Sequence, residues 1–222
     1  MSESEVDDEE TQLLTQPDEI PPDALSVMCS CHSLIPIESK AYRYPTIVGD
    51  PLEKAVLDFT DFKLYDDSVS GIINGKSITY RIHHRFAFSS HLKRMTVLAS
   101  STDEANKLFA FTKGAPETMK SLLSTTSLPE TYDKIANYHM HRGRRVLAMG
   151  RRRVGKLQDA NKLRKEGRSS VEKELEFVGF LVLECSIKPD TRNVILELQK
   201  SGHKCVMITG DAILTAAEVA RQ

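Results

Sequence analysis

A chain of 222 residues, of which 40% are hydrophobic and 27% charged, has the ordinary composition of a soluble globular protein. Its 30 basic and 31 acidic residues leave a formal charge of −1, so bulk electrostatics favours no particular class of partner, nucleic acid included. Four cysteines are too few for a disulfide framework, and no apolar run approaches the ~20 residues that span a bilayer. We therefore expect a soluble chain from a reducing compartment, without a secretory signal.

The N-terminal segment is strongly acidic. Residues 1–22 include four consecutive acidic side chains at 7–10 and end at Pro21-Pro22, with few large apolar groups. Such a segment buries too little apolar surface to offset the loss of chain entropy on folding. The sequence therefore predicts a disordered acidic tail over residues 1–22.

Two helices with cap signals follow the tail. Asp23 is expected to cap a helix over residues 24–33. Asp50 is placed to cap a second helix, with Pro51 in its first turn and Glu53 three residues beyond the cap, much as in a capping box. The residues expected to share the apolar face of this second helix are Leu52, Ala55, Val56 and Phe59.

Residues 85–117 are the most informative stretch of the sequence. They hold two or three predicted strands, the first alternating in polarity up to Phe88 and the last a continuous apolar run. Lys113 and Gly114 predict a turn into a helix over residues 115–123. The start of a helix favours anions, and an aromatic ring on a neighbouring strand could stack on a base. This combination suggests a nucleotide site.

The rest of the chain changes from an antiparallel to a parallel pattern. The strands before residue 123 lie close together and suggest an antiparallel sheet, whereas strand, helix, strand, turn and helix follow from residue 177, as in a parallel α/β sheet. We place the boundary near residues 186–188. The elements predicted after residue 123 are helices at 130–141, 157–173, 189–201 and 213–220 and strands at 144–151, 177–184 and 205–208.

Two polar clusters are weaker candidates for function. Cys29, Cys31 and His32 are metal-ligand residue types, but no second cluster completes a four-ligand site, so buried free cysteines are favoured and no metal site is predicted. Residues 139–153 contain six arginines and two histidines without an interleaved aromatic to stack a base. A solvated face with one or two phosphate-reaching arginines is therefore favoured over a nucleic-acid patch.

The candidate ligand-binding residues lie on adjoining elements. Phe88, Lys93 and Lys113 taken singly are typical of core or surface positions, but together they indicate a ligand site. Thr209-Gly210-Asp211 follows an apolar strand and precedes a helix, the position at which open α/β sheets bind ligands. A T-G-D tripeptide alone is a weak signal.

Five sequence motifs occur in this order: G-D-P-L-E-K-A (49–55), F-S-S-H-L-K-R-M-T-V-L-A-S (88–100), K-G-A-P-E (113–117), G-R-R-V-L-A-M-G (143–150) and V-M-I-T-G-D (206–211). The motifs and their order are those of the cytosolic nucleotide-binding region of P-type ATPases, which residues 24–222 resemble. C-H-S-L (31–34) and G-D-P-L-E-K-A are most similar to the class-five ATPases, in particular their endoplasmic reticulum subgroup A.

The fold that the resemblance implies is α/β (α+β). An antiparallel sheet flanked by helices, the nucleotide-binding (N) domain, is expected at residues 23–187. A partial parallel HAD-like α/β segment, the beginning of the returning phosphorylation (P) domain, is expected at residues 188–222.

The resemblance also implies an ATP site in the N domain. Phe88 matches the phenylalanine that stacks on adenine, and Glu53 the acidic residue near the adenine edge. Lys93 matches the lysine that reaches toward the nucleotide, and Lys113 with Gly114 belongs to the K-G-A motif that lines the pocket.

Four further positions are implied to act at the phosphates. Arg145 matches the arginine that helps bridge the phosphates to the P domain. Thr209, Gly210 and Asp211 match the loop that receives the γ-phosphoryl group and its Mg²⁺ surroundings. ATP with Mg²⁺ is therefore the expected ligand.

The phosphorylated aspartate of this family lies in a D-K-T-G-T motif that this sequence lacks, as it lacks G-D-G-x-N-D and membrane helices. No catalytic residue is therefore assigned, and we expect ATP binding without turnover by the chain alone. In the whole enzyme the resemblance implies a cytosolic position at the endoplasmic reticulum membrane. The rest of the P domain and the actuator and membrane domains would be its partners in transport or in extraction of misinserted transmembrane segments.

Two other functions are alternatives to ATP binding for a P-type ATPase. The chain could instead be a truncated, non-catalytic interaction module with a vestigial nucleotide pocket. Titration with nucleotide distinguishes such a module from an ATP-binding domain. An independent phosphatase-like hydrolase is disfavoured because the aspartate nucleophile is missing.

Overall fold

The computed structural model describes residues 11–37 and 46–221. Within them the chain forms two compact units, one of Leu13–Glu130 and Leu147–Leu181 and a smaller one made mainly of Thr131–Val146 and residues 182–221. Residues 1–10 of the predicted tail, with its acidic run at 7–10, lie outside the described residues, and residues 11–22 contain a 3-10 turn, Pro17–Glu19. No described helix has the length and apolar character needed to cross a bilayer. The domain boundaries proposed from the sequence stay predictions.

The larger unit is built on a seven-stranded sheet whose strands follow one another in chain order, each of the first six antiparallel to its neighbour. This confirms the antiparallel sheet flanked by helices expected from the sequence. The strands are β3 (Lys63–Tyr65), β4 (Ser68–Ile73), β5 (Lys76–Ser89), β6 (Arg94–Ser101), β7 (Lys107–Gly114), β8 (Arg145–Lys156) and β9 (Glu176–Leu183). A separate antiparallel pair joins β1 (Ile35–Ile37) to β2 (Thr46–Val48).

The centre of the sheet, β6 and β7, is buried on both faces. Helix α1 (Pro22–Ser30) packs on one face, and α5 (Ala160–Glu166) with α6 (Arg168–Val171) packs on the other. Residues on both faces of these strands are therefore apolar or small, which explains the continuous apolar runs in the sequence. On the side of α5 and α6 the core cluster comprises Leu98, Leu108, Ala110 and Val171.

The first helix starts earlier than the cap signal indicated. Helix α1 begins at Pro22 with Pro21 as its cap residue and ends at Ser30, so Asp23 lies in the first turn. The Asp23 carboxylate forms an ion pair with Arg151 of β8. A proline at the first helical position replaces the side-chain cap because it has no N–H group to satisfy.

Helix α2 (Pro51–Thr60) has the predicted cap but a rotated buried face. The Asp50 carboxylate accepts hydrogen bonds from Leu52 N at 2.8 Å and Glu53 N at 3.2 Å, which confirms the cap. The buried side chains are those of Val56, Leu57 and Thr60, whereas Ala55 is exposed. The predicted face was wrong by about one position because α2 packs against α1, a contact that periodicity alone does not specify.

The predicted turn and helix after β7 were also wrong in extent. Lys113 and Gly114 still belong to β7, and helix α3 covers only Pro116–Met119. Backbone hydrogen bonds from Ser124 N to Leu175 O (2.7 Å) and from Leu175 N to Leu122 O (2.9 Å) draw the chain out of helical geometry. A four-residue helix has too short a dipole to support the anion argument made for Lys113.

The smaller unit contains α4 (Tyr132–Met140), α7 (Thr191–Lys200) and α8 (Ile213–Arg221), all predicted from the sequence. Helices α4 and α8 pack together, and Thr215 Oγ1 donates a hydrogen bond to the Arg144 carbonyl at 3.0 Å. The strand predicted at residues 205–208 was wrong, because no strand among the described residues pairs with it. The described residues therefore do not show the parallel HAD-like segment.

Candidate functional site

The best-defined polar contact in the predicted site is a largely buried ion pair between α2 and β7. Lys113 Nζ lies 2.9 Å from Glu53 Oε1, and the two side chains are 11% and 12% exposed. Glu53 Oε2 accepts hydrogen bonds from Ser33 N and Ser33 Oγ, both at 2.8 Å. Burial alone would raise the pKa of Glu53, but the Lys113 ammonium group and the Ser33 donors outweigh it and hold this pKa below its usual value. Glu53 is therefore an ionised, oriented carboxylate.

These contacts replace the capping-box role that the spacing of Glu53 suggested. Its carboxylate bonds to Ser33 and Lys113, which approach from 20 residues earlier in the chain and from a strand of the central sheet. Both side-chain oxygens are thus engaged away from the start of α2. The Asp50 cap leaves Glu53 available for this position.

The segment that presents Ser33 is anchored by buried residues at the end of α1. Cys31 Sγ donates to the Met95 carbonyl at 3.6 Å, and His32 Nδ1 accepts from Leu34 N at 3.1 Å. Burial raises the pKa of Cys29 and Cys31 to about 12 and lowers that of His32 to about 4. These side chains are therefore neutral packing groups, and among the described residues no cluster of three or more His, Cys, Asp or Glu could hold a metal ion.

Phe88 and Lys93 lie at the β5–β6 hairpin end. Phe88 is 63% exposed and falls where the β5–β6 register shifts between Phe86 and Ser89. Lys93 has a left-handed backbone (φ 49°), and its Nζ lies 3.0 Å from Glu117 Oε1 in a pair that is more than half exposed. An exposed phenylalanine ring gains nothing from core packing and is free to stack on a planar ligand.

Gly114 allows β7 to approach the hairpin end closely. A Cβ at Gly114 would lie 2.7 Å from Arg94 Cβ and 2.8 Å from the Lys93 carbonyl oxygen. The next residue, Ala115, donates its N–H to that same carbonyl at 3.0 Å. The glycine of the K-G-A motif is therefore needed for packing beside Lys93.

The five predicted N-domain residues fall into two neighbouring groups of the larger unit. Glu53 and Lys113 are in direct contact, while Phe88, Lys93 and Gly114 surround the hairpin end. Since neighbouring strands lie about 4.8 Å apart, the backbones of Phe88 on β5 and Lys113 on β7 are roughly 10 Å apart.

The remaining predicted positions lie in the smaller unit. Arg145 forms an ion pair with Asp211. Thr209 Oγ1 donates to Asp211 Oδ2, and Asp211 N donates to Thr209 Oγ1, both at 3.1 Å. Gly210 has open space where a Cβ would lie. Arg145, Thr209 and Asp211 are thus linked by direct contacts.

Most of the arginines in residues 139–153 bond within their own unit. Arg142 stacks on the Tyr138 ring at 3.5 Å, and Arg144 contacts His139 Nδ1 at 3.1 Å. Arg152 Nη1 donates to the Lys173 carbonyl at 3.0 Å. These guanidinium groups support local structure.

Sequence reasoning missed two residues that contact the predicted site. Ser33 donates twice to Glu53, and Glu117 pairs with Lys93. Both occur within the motifs C-H-S-L and K-G-A-P-E, but their partners are distant in sequence, so spacing alone gave no signal.

Comparison with known proteins identifies the family. Residues 23–190 match the family profile of the P-type ATPase, cytoplasmic domain N. A probable manganese-transporting ATPase of Arabidopsis thaliana is 38% identical over 208 residues, covering 94% of this chain and 17% of the relative. The endoplasmic reticulum transmembrane helix translocase of Saccharomyces cerevisiae is 37% identical over 223 residues, covering 97% of this chain and 17% of the relative.

A third relative, the probable cation-transporting ATPase 13A4 of Gallus gallus, is 33% identical over 216 residues, covering 89% of this chain and 17% of the relative. The chain thus spans about a sixth of the length of these relatives. It belongs to the P-type ATPase family, in the class-five branch that includes the endoplasmic reticulum translocases, as the sequence resemblance predicted.

Proposed function

We propose that this chain binds ATP for a class-five P-type ATPase, with the adenine ring stacked on Phe88. The N domain binds ATP in this family. The observation that carries the assignment to residues is the exposed Phe88 ring, two strands from the buried Glu53–Lys113 pair. An aromatic surface and fixed opposite charges suit a ligand with a base at one end and phosphates at the other.

Each of the four side chains has a distinct part in this proposal. Phe88 supplies stacking, which contributes about 1–3 kcal/mol per base in proteins. Lys93 is exposed on a flexible stem and can leave Glu117 for a phosphate oxygen. Lys113 is held by Glu53 and lines the pocket. Among the described residues Lys113 is the one partner of Glu53 Oε1, so this oxygen keeps a lone pair to accept the adenine amino group.

Arg145 and the loop of Thr209, Gly210 and Asp211 are proposed to act at the phosphate end in the whole enzyme. Mg²⁺ takes hard oxygen ligands, and Thr209 with Asp211 supplies a hydroxyl and a carboxylate that already contact each other at 3.1 Å. The cation would neutralise phosphate charge, while Arg145 pairs with Asp211 and orients its carboxylate.

The longer protein is proposed to couple ATP hydrolysis, through an aspartyl phosphate, to membrane transport or transmembrane-helix extraction. The chain's relatives include endoplasmic reticulum translocases, which supports a position on the cytosolic side of that membrane. Residues 188–222 would complete a HAD-like P domain when the other strands are present. Support for this comes from the exposed apolar side chains of Val194, Leu198, Val206 and Ile208.

Titration of the 222-residue chain with ATP, by calorimetry and by amide NMR shifts, tests this proposal. Phe88→Ala should weaken ATP binding roughly 5- to 150-fold, the equivalent of about 1–3 kcal/mol of stacking. Tyr65→Ala is the matched control, because Tyr65 is a 56% exposed aromatic on the edge strand β3. Equal affinity of wild type and Phe88→Ala, or no response to ATP at all, would reject the site and favour an interaction module.

A further inference from the structure

A buried carboxylate lies behind the hairpin end that carries Phe88 and Lys93. Glu172, which follows α6, has a side chain only 1% exposed. Its Oε2 accepts from Arg94 Nε at 2.7 Å, and its Oε1 accepts from Arg168 Nη1 and Thr96 Oγ1, each at 2.7 Å. Both carboxylate oxygens thus accept hydrogen bonds from groups on β6 and α6.

Each arginine of this cluster also holds a backbone carbonyl of the hairpin. Arg94 Nη1 donates to the Leu92 carbonyl at 3.3 Å, and Arg168 Nη2 donates to the Ala87 carbonyl. Ala87 immediately precedes Phe88, and Leu92 immediately precedes Lys93. One carboxylate therefore orients two guanidinium groups, and these hold the two ends of the segment that presents the proposed ligand-binding side chains.

The geometry of Arg168 depends on both of its contacts. Its guanidinium group lies 5.6 Å from the centre of the Phe86 ring and is 20% exposed. A guanidinium group presents N–H donors in a fixed planar fork, so the bond to Glu172 sets the direction of the bond to Ala87. A lysine could keep the charge beside Glu172 but has no such fork.

Stability alone does not account for this arrangement. A buried carboxylate with two cations must lose its hydration, and the mutual attraction often only offsets that loss. A hydrophobic residue could fill the same volume against the neighbouring core. The charged cluster also fixes the orientation of the two arginines. Arg168 then donates to a backbone carbonyl before Phe88, and Arg94 donates to one after it.

We propose that Glu172 is a positioning residue for nucleotide binding, acting through Arg94 and Arg168 to hold Phe88 and Lys93 in place before ATP arrives. The inference rests on the proposed ATP site at Phe88. Holding the binding groups in advance raises affinity because less conformational freedom is lost on binding.

The test compares Arg168→Lys and Glu172→Gln in the 222-residue chain with Glu174→Gln, an exposed control two residues from Glu172. Both cluster variants should weaken ATP binding by roughly 3- to 10-fold and speed amide hydrogen exchange at residues 88–93, while the control changes neither. Arg168→Lys keeps the charge, so it is informative even if Glu172→Gln fails to fold.

A double-mutant cycle separates positioning from a general structural role. Phe88→Ala should weaken ATP binding less in the Arg168→Lys background than in wild type, because the ring is no longer held in place. Unchanged ATP affinity and exchange in Arg168→Lys, or additive effects in the cycle, would overturn the inference. If Phe88→Ala has no effect in wild type, the proposed ATP site itself fails.

Discussion

Lys113→Met removes the ammonium group from the buried pair with Glu53 while keeping most of the aliphatic stem. The two side chains are 11% and 12% exposed, so water can replace little of the lost interaction. Removing one partner of a buried ion pair costs about 3–5 kcal/mol. Since Glu53 keeps two hydrogen bonds from Ser33, we expect the lower end of this range, about 3 kcal/mol in unfolding free energy at neutral pH.

The pH dependence of this loss has a definite sign. In wild type the folded pKa of Glu53 is lowered, so its contribution to stability is present above the unfolded pKa of about 4.3 and is lost as pH falls through the folded pKa. Without Lys113, the folded pKa of Glu53 loses the largest cause that lowers it. The difference between wild type and Lys113→Met should therefore shrink as the pH falls below about 4.3.

Urea unfolding followed by circular dichroism measures this difference, and Lys93→Met is the matched control. Lys93 forms a pair of similar length with Glu117, 3.0 Å, but the side chains are 57% and 55% exposed. An exposed pair contributes about 0–1 kcal/mol. Equal losses for Lys113→Met and Lys93→Met would refute the argument that burial sets the cost.

Two further predictions concern packing and thiol chemistry. Gly114→Ala should cost about 1–3 kcal/mol in urea unfolding, because its Cβ would lie 2.7 Å from Arg94 Cβ, whereas Gly210→Ala, with open space at that position, should cost far less. In a titration with a disulfide reagent near neutral pH, the exposed Cys185 and Cys205 should react quickly. Cys29 and Cys31 should react only after unfolding, because burial raises their pKa to about 12. Four fast thiols in the folded chain would contradict the buried positions.

Local patterns in the sequence predicted much of the larger unit. The strand ending at Ser89 and the helix capped by Asp50 were recognised because alternation and cap residues are signals carried by neighbouring positions. The helix α3 was predicted too long because Leu175, more than fifty residues later, draws the chain near Leu122 into strand-like bonding. The strand expected at residues 205–208 was wrong because a strand needs a partner that no local pattern supplies.

In the candidate site, too, local sequence features were predictable and contacts between distant segments were not. The motifs that contain Phe88, Lys93 and Lys113 were recognisable from the sequence through the family resemblance. The contact between Lys113 and Glu53 and the two bonds from Ser33 join segments that are distant in the chain, so they emerged only with the fold. Periodicity could indicate which residues are buried, but it could not indicate which polar groups meet.

The double burial of β6 and β7 has a consequence for the proposed nucleotide site. Lys113 belongs to a strand covered on both faces, which is the kind of element that opens only with global unfolding. Phe88 and Lys93 lie at an exposed hairpin end, where local opening requires far less free energy. In the proposed site, Lys113 would therefore be held by the core of the sheet, whereas Phe88 and Lys93 would depend on Glu172, Arg94 and Arg168 to stay in place before nucleotide arrives.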